Sequence, residues 1–421
     1  MRITAVPADT ELLDLPWSTP LEDWPAERLV TLPRGISRHV VRFVEIAGSR
    51  AGSRAVSTVY AVKETARRTA EREYALLRQL ERIGAPAVEA VAVVYDRRAP
   101  DGTELDAALI TRHLAFSLPY RALFSETLRT EPLNRLLDAL ALLLVRLHLT
   151  GFFWGDCSLS NTLFRRDAGA FAAYLVDAET GALHPRLSDG QRTEDIELAR
   201  VNLFGEALDV QAAGLLDPAV DPEAVSEEVV TRYRSLWREL TYTEFVRADE
   251  RYRLEARVRR LNDLGFDVAE LALATEEEGF TLTPKVVDAG HHTRRLKQLT
   301  GLDTQENQAR RLLNDLDRFR AAYGISDEQA GAQRWLTQIF EPVVRAVPPE
   351  LRGKLEPPEA FHQLLDHRWY LSEQAGEDVG FTRALPSYLS TVLPGKPDEV
   401  AVLTREDESS VSDDATAPEG V

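Results

Sequence analysis

The hydrophobic pattern of the chain changes from strand spacing to helix spacing after about residue 112. Before that point, short alternating apolar segments lie between turn residues, as is typical of strands. One segment, Ala66–Ile83, instead has apolar residues at helical spacing. We therefore predict a small antiparallel sheet with one helix inserted after its third strand. The predicted strands are Leu29–Leu32, Val40–Ile46, Val56–Lys63, Val88–Val94 and Ala107–Ile110.

The remainder of the chain is predicted to be mostly helical. Leu133–Leu149 is a strongly apolar helix, and Glu194–Phe204 is another. Asp221 followed by Pro222 is a favourable helix start, and helices are predicted from there to about residue 395. Gly279–Thr283 is the one possible short strand in that stretch. Because strands and helices are segregated along the chain, the expected fold class is α+β.

Composition and charge restrict the class of protein. The chain has 421 residues and a formal net charge of -18, and its length suits about two to three domains. The negative charge argues against nucleic acid and anionic membranes as partners, because binding to either needs an excess of cations. A single cysteine excludes an internal disulfide. No secretory signal or membrane span of about 20 apolar residues is apparent, so a cytoplasmic location is expected.

Lysine is rare in this chain, and arginine supplies most of its positive charge. Lysine occurs only at positions 63, 285, 297, 354 and 396. Lys63 therefore stands alone in the N-terminal part, at the end of a predicted strand. A compact ammonium at such a place indicates a point-charge role that a planar guanidinium would serve poorly. The alternative is a strand-end lysine that reaches solvent along apolar surface.

Four motifs follow one another in the order that phosphoryl transfer from ATP requires. That chemistry uses a lysine for the phosphates, a helix glutamate beside it, an aspartate for the acceptor hydroxyl, and an Asn and an Asp for magnesium. Each motif falls on the expected predicted element, which an unrelated α+β domain would match only by chance. The motifs are Ala61-Val-Lys63, Glu73 in the following helix, Asp156-Cys-Ser-Leu-Ser-Asn161, and Val176-Asp177 at a strand end.

With these motifs, the first 215 or so residues resemble the atypical bacterial side of the protein-kinase-like superfamily. That group includes lipopolysaccharide (Kdo/heptose) kinases, RIO kinases and aminoglycoside phosphotransferases. The remainder resembles the helical DUF4032-type domain that follows such a module in actinobacterial proteins, and the Arg, Ala and Val content fits such an origin. The resemblance implies a bilobal protein-kinase-like fold, with ATP and Mg²⁺ in the cleft, and an additional mostly α-helical C-terminal domain.

The resemblance also implies roles for individual residues. The catalytic base would be Asp156, and Lys63 would contact the α- and β-phosphates while pairing with Glu73. The hinge beside the nucleotide would lie near Thr111–Leu114. The other implied ligands are Thr111 and His113 for the nucleotide, and Asn161 and Asp177 for Mg²⁺.

The sequence departs from the family pattern in the catalytic loop and in the metal motif. Trp154 and Gly155 stand where His and Arg are usual, so a pocket for a phosphorylated activation loop is not expected. The metal motif is Asp-Ala-Glu, which resembles small-molecule phosphotransferases with a second acid. Glu179 is therefore a further candidate Mg²⁺ ligand.

Two assignments in the N-terminal part have competing residues. The predicted phosphate loop, Pro33–Arg38, has one glycine, Gly35, where protein kinases have three. Arg38 would then supply the charge that backbone contacts do not. On the predicted helix, Glu71 competes with Glu73 as the partner of the lysine, because the helix register is uncertain by a turn.

Other polar clusters have simpler interpretations. Cys157 is interpreted as a small loop residue, because no histidine is spaced to activate its thiol. The histidines at 291/292 and 362/367 do not share a helix face and so predict no metal site. The Arg-rich stretch 247–260 has interleaved acids, as is typical of a solvated helix. His291–Lys297 lacks them, and a phosphate, a nucleic acid or the acidic tail remains a possible partner.

The sequence thus predicts a kinase-like domain over 26–215, a helical DUF4032-like domain over 221–398, and a disordered acidic tail over 401–421. The N-lobe would cover 26–112 and the C-lobe 113–215. The expected function is ATP- and Mg²⁺-dependent phosphotransfer to the hydroxyl of an unidentified small-molecule or protein acceptor. The alternatives are a pseudokinase that binds nucleotide in a regulatory role, and a scaffold that acts through its helical domain.

Overall fold

The computed structural model of the chain describes residues 1–5, 10–26, 29–30, 39–47, 57–120, 123, 130–217, 219–242, 244–247, 256, 261, 266–276, 279–397 and 399. Three predicted features therefore lie outside the described residues. They are the phosphate loop with Gly35 and Arg38, most of the Arg-rich stretch 247–260, and the acidic tail 401–421.

The N-terminal lobe is an antiparallel sheet with one long helix packed on it. The strand order is β1-β5-β8-β4-β3-β2, and the inserted helix is α1 (Arg67–Arg82). This helix packs on β5 and β8 through Ala70, Leu77 and Leu80, which recur at helical spacing. The strands of the lobe, with the small hairpin β6–β7, are β1 (Arg2–Ala5), β2 (Leu29–Val30), β3 (Val40–Ala47), β4 (Ser57–Thr65), β5 (Ala90–Tyr95), β6 (Arg97–Arg98), β7 (Glu104–Leu105) and β8 (Ala107–Arg112).

The N-terminal segment covers the other face of this sheet. Trp17 and Trp24 are buried there and pack edge to face, with ring centroids 5.2 Å apart. The fully buried Arg97 holds the segment in place, because its guanidinium donates to Trp17 O (3.0 Å) and Thr19 O (2.7 Å). The same guanidinium pairs with Glu64 at 2.6 Å, so its buried charge is compensated.

The C-terminal lobe is built on three helices that share one hydrophobic core. They are α2 (Thr130–Leu149), α3 (Asp189–Ala212) and α4 (Pro222–Thr241). The helix expected over Glu194–Phe204 is longer at both ends. Its start is stabilised by a capping box that Ser188 and Gln191 form. Helix α4 lies beyond the expected domain boundary at 215–221, yet it packs against α2 and α3.

Short strands surround these helices. They are β9 (Ser117–Pro119), β10 (Phe152–Phe153), β11 (Thr162–Asp167), β12 (Ala170–Leu175) and β13 (Ala182–Leu183). A tight turn through Ala168 and Gly169, both at positive φ, joins β11 to β12. An Ala-Gly turn is a weak hairpin signal, which is why β11 escaped prediction. Backbone hydrogen bonds from Val88 N to Leu175 O and from Leu175 N to Pro86 O, each 2.9 Å, connect the two lobes.

The prediction of nearly continuous helix after residue 221 was wrong for one region. The chain forms an antiparallel sheet there, of β14 (Glu244–Arg247), β15 (Phe266–Glu276) and β16 (Gly279–Ala289), in the order β14-β16-β15. The possible short strand at Gly279–Thr283 is the first half of β16. Strand β15 is rich in Ala, Glu and Leu, which favour helices, so its pairing with β16 overrides its local propensity.

The rest of the described chain is helical and has its own core. The N-cap of one helix is Asp327, whose side chain accepts from Ala330 N at 2.6 Å. Among the described residues, no helix is both long and apolar enough to cross a membrane. The helices are α5 (His291–Thr300), α6 (Glu306–Ala322), α7 (Glu328–Trp335), α8 (Glu341–Ala346), α9 (Pro357–Ala375) and α10 (Gly380–Thr391).

The helical part docks on the β11–β12 hairpin through buried polar groups. Asp167, at the end of β11, accepts from Gln308 N (2.8 Å) and from Asn307 Nδ2 (3.0 Å). Burial raises the pKa of Asp167 to about 6, even though these hydrogen bonds favour its charged form. The side chain of Gln308 donates in turn to Arg166 O, Glu356 and Glu359, at 2.8–3.2 Å.

Ion pairs complete this interface. Arg165 pairs with Glu356, and Arg166 pairs with the buried Glu399. Tyr174 on β12 donates to Gln305 Oε1 at 2.6 Å. Because such groups are costly to bury unless each finds its partner, this network fixes one docking arrangement of the helical part.

We expect Gln308→Ala to destabilise the chain by about 2–3 kcal/mol, because it removes an amide donor from two buried carboxylates. Urea denaturation followed by tryptophan fluorescence measures this loss. Asn314→Ala, at an exposed position of the same helix, is the matched control and should cost less than about 0.5 kcal/mol. Equal unfolding midpoints for Gln308→Ala and the wild type would contradict the prediction.

Candidate active site

Lys63 and Glu73 form an ion pair between the sheet and the helix of the N-terminal lobe. Lys63 Nζ on β4 lies 2.9 Å from Glu73 Oε2 on α1, and the Glu73 side chain is 2% exposed. Glu71, the competing residue, lies on the surface and pairs with Arg67 at 3.0 Å. The structure thus brings Glu73, and not Glu71, to the lysine.

Two further carboxylates reach the same ammonium from the C-terminal lobe. Asp177 Oδ2 lies 2.7 Å and Glu179 Oε2 3.1 Å from Lys63 Nζ. Both acids follow β12, and Glu179 N donates to Asp177 Oδ1 at 2.9 Å, which holds the segment in a turn. Glu179 also pairs with His39 Nε2 at 3.1 Å. Side chains from both lobes therefore meet at Lys63.

The charges of this cluster do not balance. Burial alone lowers the pKa of Lys63, but the neighbouring carboxylates of Glu73 and Asp177 outweigh it and raise that pKa above its ordinary value. Burial, reinforced by Asp177, raises the pKa of Glu73 to about 7, against the opposing effect of Lys63. One ammonium thus faces more negative charge than it can neutralise.

This donor set suits a hard divalent cation. Oxygen atoms of Glu73, Asp177 and Glu179 all lie within 4.8 Å of one another. Carboxylate oxygens are the ligands that Mg²⁺ prefers, and three carboxylates beside one lysine leave a formal excess of two negative charges. The residues therefore fit a divalent cation such as Mg²⁺.

The catalytic-loop motif forms a hydrogen-bonded unit beside β11. Asn161 Nδ2 donates to Asp156 Oδ2 (2.9 Å) and to Asp156 O (3.1 Å). Val176 N donates to Asn161 O at 3.0 Å, so the loop is tied to the segment that carries Asp177. The loop and the metal motif are therefore neighbours in space, as their order in the sequence predicted.

The two departures from the catalytic-loop pattern have structural functions. Trp154 is fully buried, and its indole Nε1 donates to Asp177 O at 2.9 Å, which links the loop directly to the metal motif. Gly155 has a φ of +77°, a conformation that side chains rarely adopt, and a Cβ there would lie 3.0 Å from the Phe153 ring. An arginine at this position would be strained.

A buried network of α2, α3 and α4 anchors the start of the loop. Asp195 on α3 accepts from Trp154 N and Gly155 N, at 2.7 Å each. His148 on α2 lies 3.0 Å from the same carboxylate and 2.7 Å from the hydroxyl of Tyr233 on α4. The backbone donors of the loop are thus satisfied by one buried carboxylate.

Two more side chains of α3 hold the loop further along. Asn202 Nδ2 donates to Asp156 Oδ1 at 3.0 Å. Glu206 accepts from Leu159 N (2.6 Å) and Ser160 N (2.8 Å), and its pKa is raised by burial. None of these α3 residues was singled out from the sequence, although positions 195, 202 and 206 share one helix face, which is the signal that indicates a common partner.

The predicted hinge residues lie where β8 ends. Thr111, at the end of β8, lies opposite Ala61 and Ala90 in the sheet. His113 N donates to Val59 O at 2.9 Å, and its ring packs edge to face on Phe43 at 5.7 Å. Burial lowers the pKa of His113 to about 4, so this imidazole is neutral at physiological pH.

The remaining polar candidates are buried or paired. Cys157 is buried, and burial raises the pKa of its thiol well above its ordinary value, which disfavours the reactive thiolate. In the basic cluster His291–Lys297, His292 pairs with Glu306, Arg295 with Glu328 and Lys297 with Asp303. Acids of the same part of the chain thus already pair with the cluster.

Two family models match separate parts of the chain. Residues 53–209 match the lipopolysaccharide kinase (Kdo/WaaP) family, and residues 235–393 match DUF4032, a domain of unknown function. The solved structure titled "WaaP in complex with acyl carrier protein" aligns with 63% of this chain and 99% of its own, at 18% identity and a TM-score of 0.34. No curated protein sequence matches the chain. One segment of the chain thus matches the lipopolysaccharide kinase (Kdo/WaaP) family and another matches DUF4032, which confirms the resemblance deduced from its motifs.

Proposed function

We propose that this protein is an ATP- and Mg²⁺-dependent phosphotransferase that transfers the γ-phosphate to an acceptor hydroxyl. The observation that carries the proposal is the meeting of Lys63, Glu73 and Asp177 at the junction of the lobes, beside a loop that presents Asp156. A segment that matches a kinase family contains all four residues. The acceptor is a small molecule or a protein with a free hydroxyl group.

In this proposal, residues of both lobes bind the nucleotide. The Lys63 ammonium contacts the phosphates, and Glu73 keeps it in place through their ion pair. Thr111 and His113 lie beside the nucleotide base at the hinge. Gly35 and Arg38, which precede β3 in the chain, belong to the phosphate loop.

Asp177, Glu179 and Asn161 are the proposed metal ligands. Asn161 uses Nδ2 for Asp156, so its Oδ1 is the atom available to a cation. When bound, Mg²⁺ would neutralise phosphate charge and orient the γ-phosphate. The Mg²⁺ ion itself would also supply positive charge that the carboxylate cluster lacks.

Asp156 acts as the base in the transfer step. The acceptor oxygen forms a bond to the γ-phosphorus as its proton passes to the Asp156 carboxylate. The bond between that phosphorus and the bridging oxygen of ATP breaks, which releases ADP. The products are the phosphorylated acceptor, ADP and a protonated Asp156, so atoms and charge balance.

A pseudokinase is the second candidate, and one observation favours it. Lys63 Nζ forms ion pairs with Asp177 Oδ2 at 2.7 Å and with Glu179 Oε2 at 3.1 Å. Mg²⁺ must therefore compete with an ammonium group for both proposed ligands. A protein that binds nucleotide in this state and never turns it over would serve as a regulatory module.

One experiment separates the two candidates. The melting temperature is measured with ATP, with and without Mg²⁺, because a ligand that binds only the folded state raises it. Phosphate release from Mg-ATP is then measured with water in place of the acceptor. Mg²⁺-dependent binding with release supports the phosphotransferase, binding without release supports the pseudokinase, and no binding contradicts both.

Lys63→Met should abolish most of the ATP-dependent rise in melting temperature, because the phosphates lose their cation. Lys297→Met, which removes an exposed lysine of the helical part, is the control and should respond to ATP as the wild type does. An unchanged ATP response in Lys63→Met would contradict the role given to this lysine.

Asp156→Asn should retain Mg-ATP binding but lose phosphate release by about 10²- to 10⁴-fold, the usual effect of removing a general base. The same protein sample is assayed for the ATP-dependent thermal shift and for phosphate release. Equal loss of binding and release would indicate a metal-binding or structural role for Asp156 instead.

Asp177→Asn should remove the Mg²⁺ dependence of ATP binding, because an amide is a much weaker ligand than a carboxylate. Glu179→Gln should only raise the Mg²⁺ concentration required. Both are measured by titrating Mg²⁺ at fixed ATP in the thermal-shift assay. The same Mg²⁺ dependence in Asp177→Asn and the wild type would rule out Asp177 as the main ligand.

A further inference from the structure

The carboxylate of Asp156 is held on both sides by amide groups from different elements. Asn161 Nδ2 donates to Oδ2 at 2.9 Å from within the loop. Asn202 Nδ2 donates to Oδ1 at 3.0 Å from helix α3, and it also donates to Cys157 O at 3.3 Å. Asn202 lies 46 residues after Asp156 and belongs to no part of the D-x-x-x-x-N motif.

Helix α3 holds the loop backbone independently of Asn202. Asp195 binds the backbone before Asp156, and Glu206 binds it after, through two backbone N–H groups each. Among these three α3 side chains, Asn202 is the one that reaches the side chain of Asp156. Four bonds to Asp195 and Glu206 thus hold the loop backbone beside the single bond from Asn202 to Cys157 O, whereas the orientation of the Asp156 carboxylate depends on the Asn202 amide.

We propose that Asn202 is a positioning residue for Asp156. Its N–H group fixes one carboxylate oxygen and Asn161 fixes the other, so the carboxylate cannot rotate about its terminal bond. Each carboxylate oxygen has a second lone pair, so the acceptor hydroxyl still finds an acceptor on the oriented group. An amide carries no charge and exchanges no proton in this step, so Asn202 acts only through Asp156.

This inference rests on the proposed function, and its test uses the same phosphate-release assay with Mg-ATP and the full chain. Asn202→Ala should lower kcat by about 10- to 100-fold, as expected for a lost hydrogen bond to a charged group. The KM for ATP and the ATP-dependent thermal shift should stay at wild-type values, because Asn202 contacts no proposed nucleotide residue. Gln211→Ala removes an amide from the same helix away from the loop and should leave kcat unchanged.

Asn202→Asp separates positioning from packing. It keeps the size and shape of the side chain but places a second carboxylate beside Asp156, so positioning predicts a kcat no higher than that of Asn202→Ala. A packing role predicts that the isosteric variant behaves as the wild type and that the alanine variant melts lower. If Asn202→Ala does not fold, the kcat of Asn202→Asp is compared with that of the wild type alone.

The possible outcomes are distinct. No phosphate release by the wild type overturns the proposed function, and this inference with it. Release by the wild type with an equal kcat in Asn202→Ala overturns this inference alone. A wild-type kcat in Asn202→Asp, or a loss confined to KM, overturns it in favour of packing or binding. A loss confined to kcat in both Asn202 variants supports it.

Discussion

The shared ammonium of Lys63 is the interaction on which the candidate site depends. It joins a carboxylate of the N-terminal lobe, Glu73, to two of the C-terminal lobe, Asp177 and Glu179, and its side chain is only 13% exposed. Without this cation, three carboxylates would face one another with little solvent to separate them. The two lobes are thus held at the distance at which one ammonium reaches both, and the excess negative charge makes the cluster receptive to a further cation.

Helix α3 connects that cluster to the core of the C-terminal lobe. Its apolar face packs with α4 and the rest of the core, while Asp195, Asn202 and Glu206 project from one edge to the catalytic loop. This support explains how the loop tolerates its unusual residues. The Asp195 carboxylate accepts from the backbone N–H groups of Trp154 and Gly155, while the indole of Trp154 donates separately to the backbone of Asp177.

The helical part is attached to the strand that continues the catalytic loop. Strand β11 begins at the residue after Asn161 and ends at Asp167, where the amide groups of Asn307 and Gln308 bind. The contacts between the two parts are mostly charged or amide groups that are buried on docking. A buried polar group that loses its partner costs free energy, because it is left without a hydrogen bond or counter-charge. This interface therefore favours a single arrangement of the two parts.

The sequence by itself determined the helix and five of the eight strands described for the N-terminal lobe, and the order of Lys63, Asp156, Asn161 and Asp177, because these depend on local periodicity and short spacing. It missed β1, β6 and β7, which are too short to show such a pattern. It did not decide between Glu71 and Glu73, which differ by half a turn of helix and are told apart only by what α1 packs against. It also missed the sheet of β14, β15 and β16, whose pairing supplies energy that local propensity does not contain. The contact between Asn202 and Asp156 joins residues 46 positions apart, so only the tertiary structure decided that two asparagines hold the proposed base.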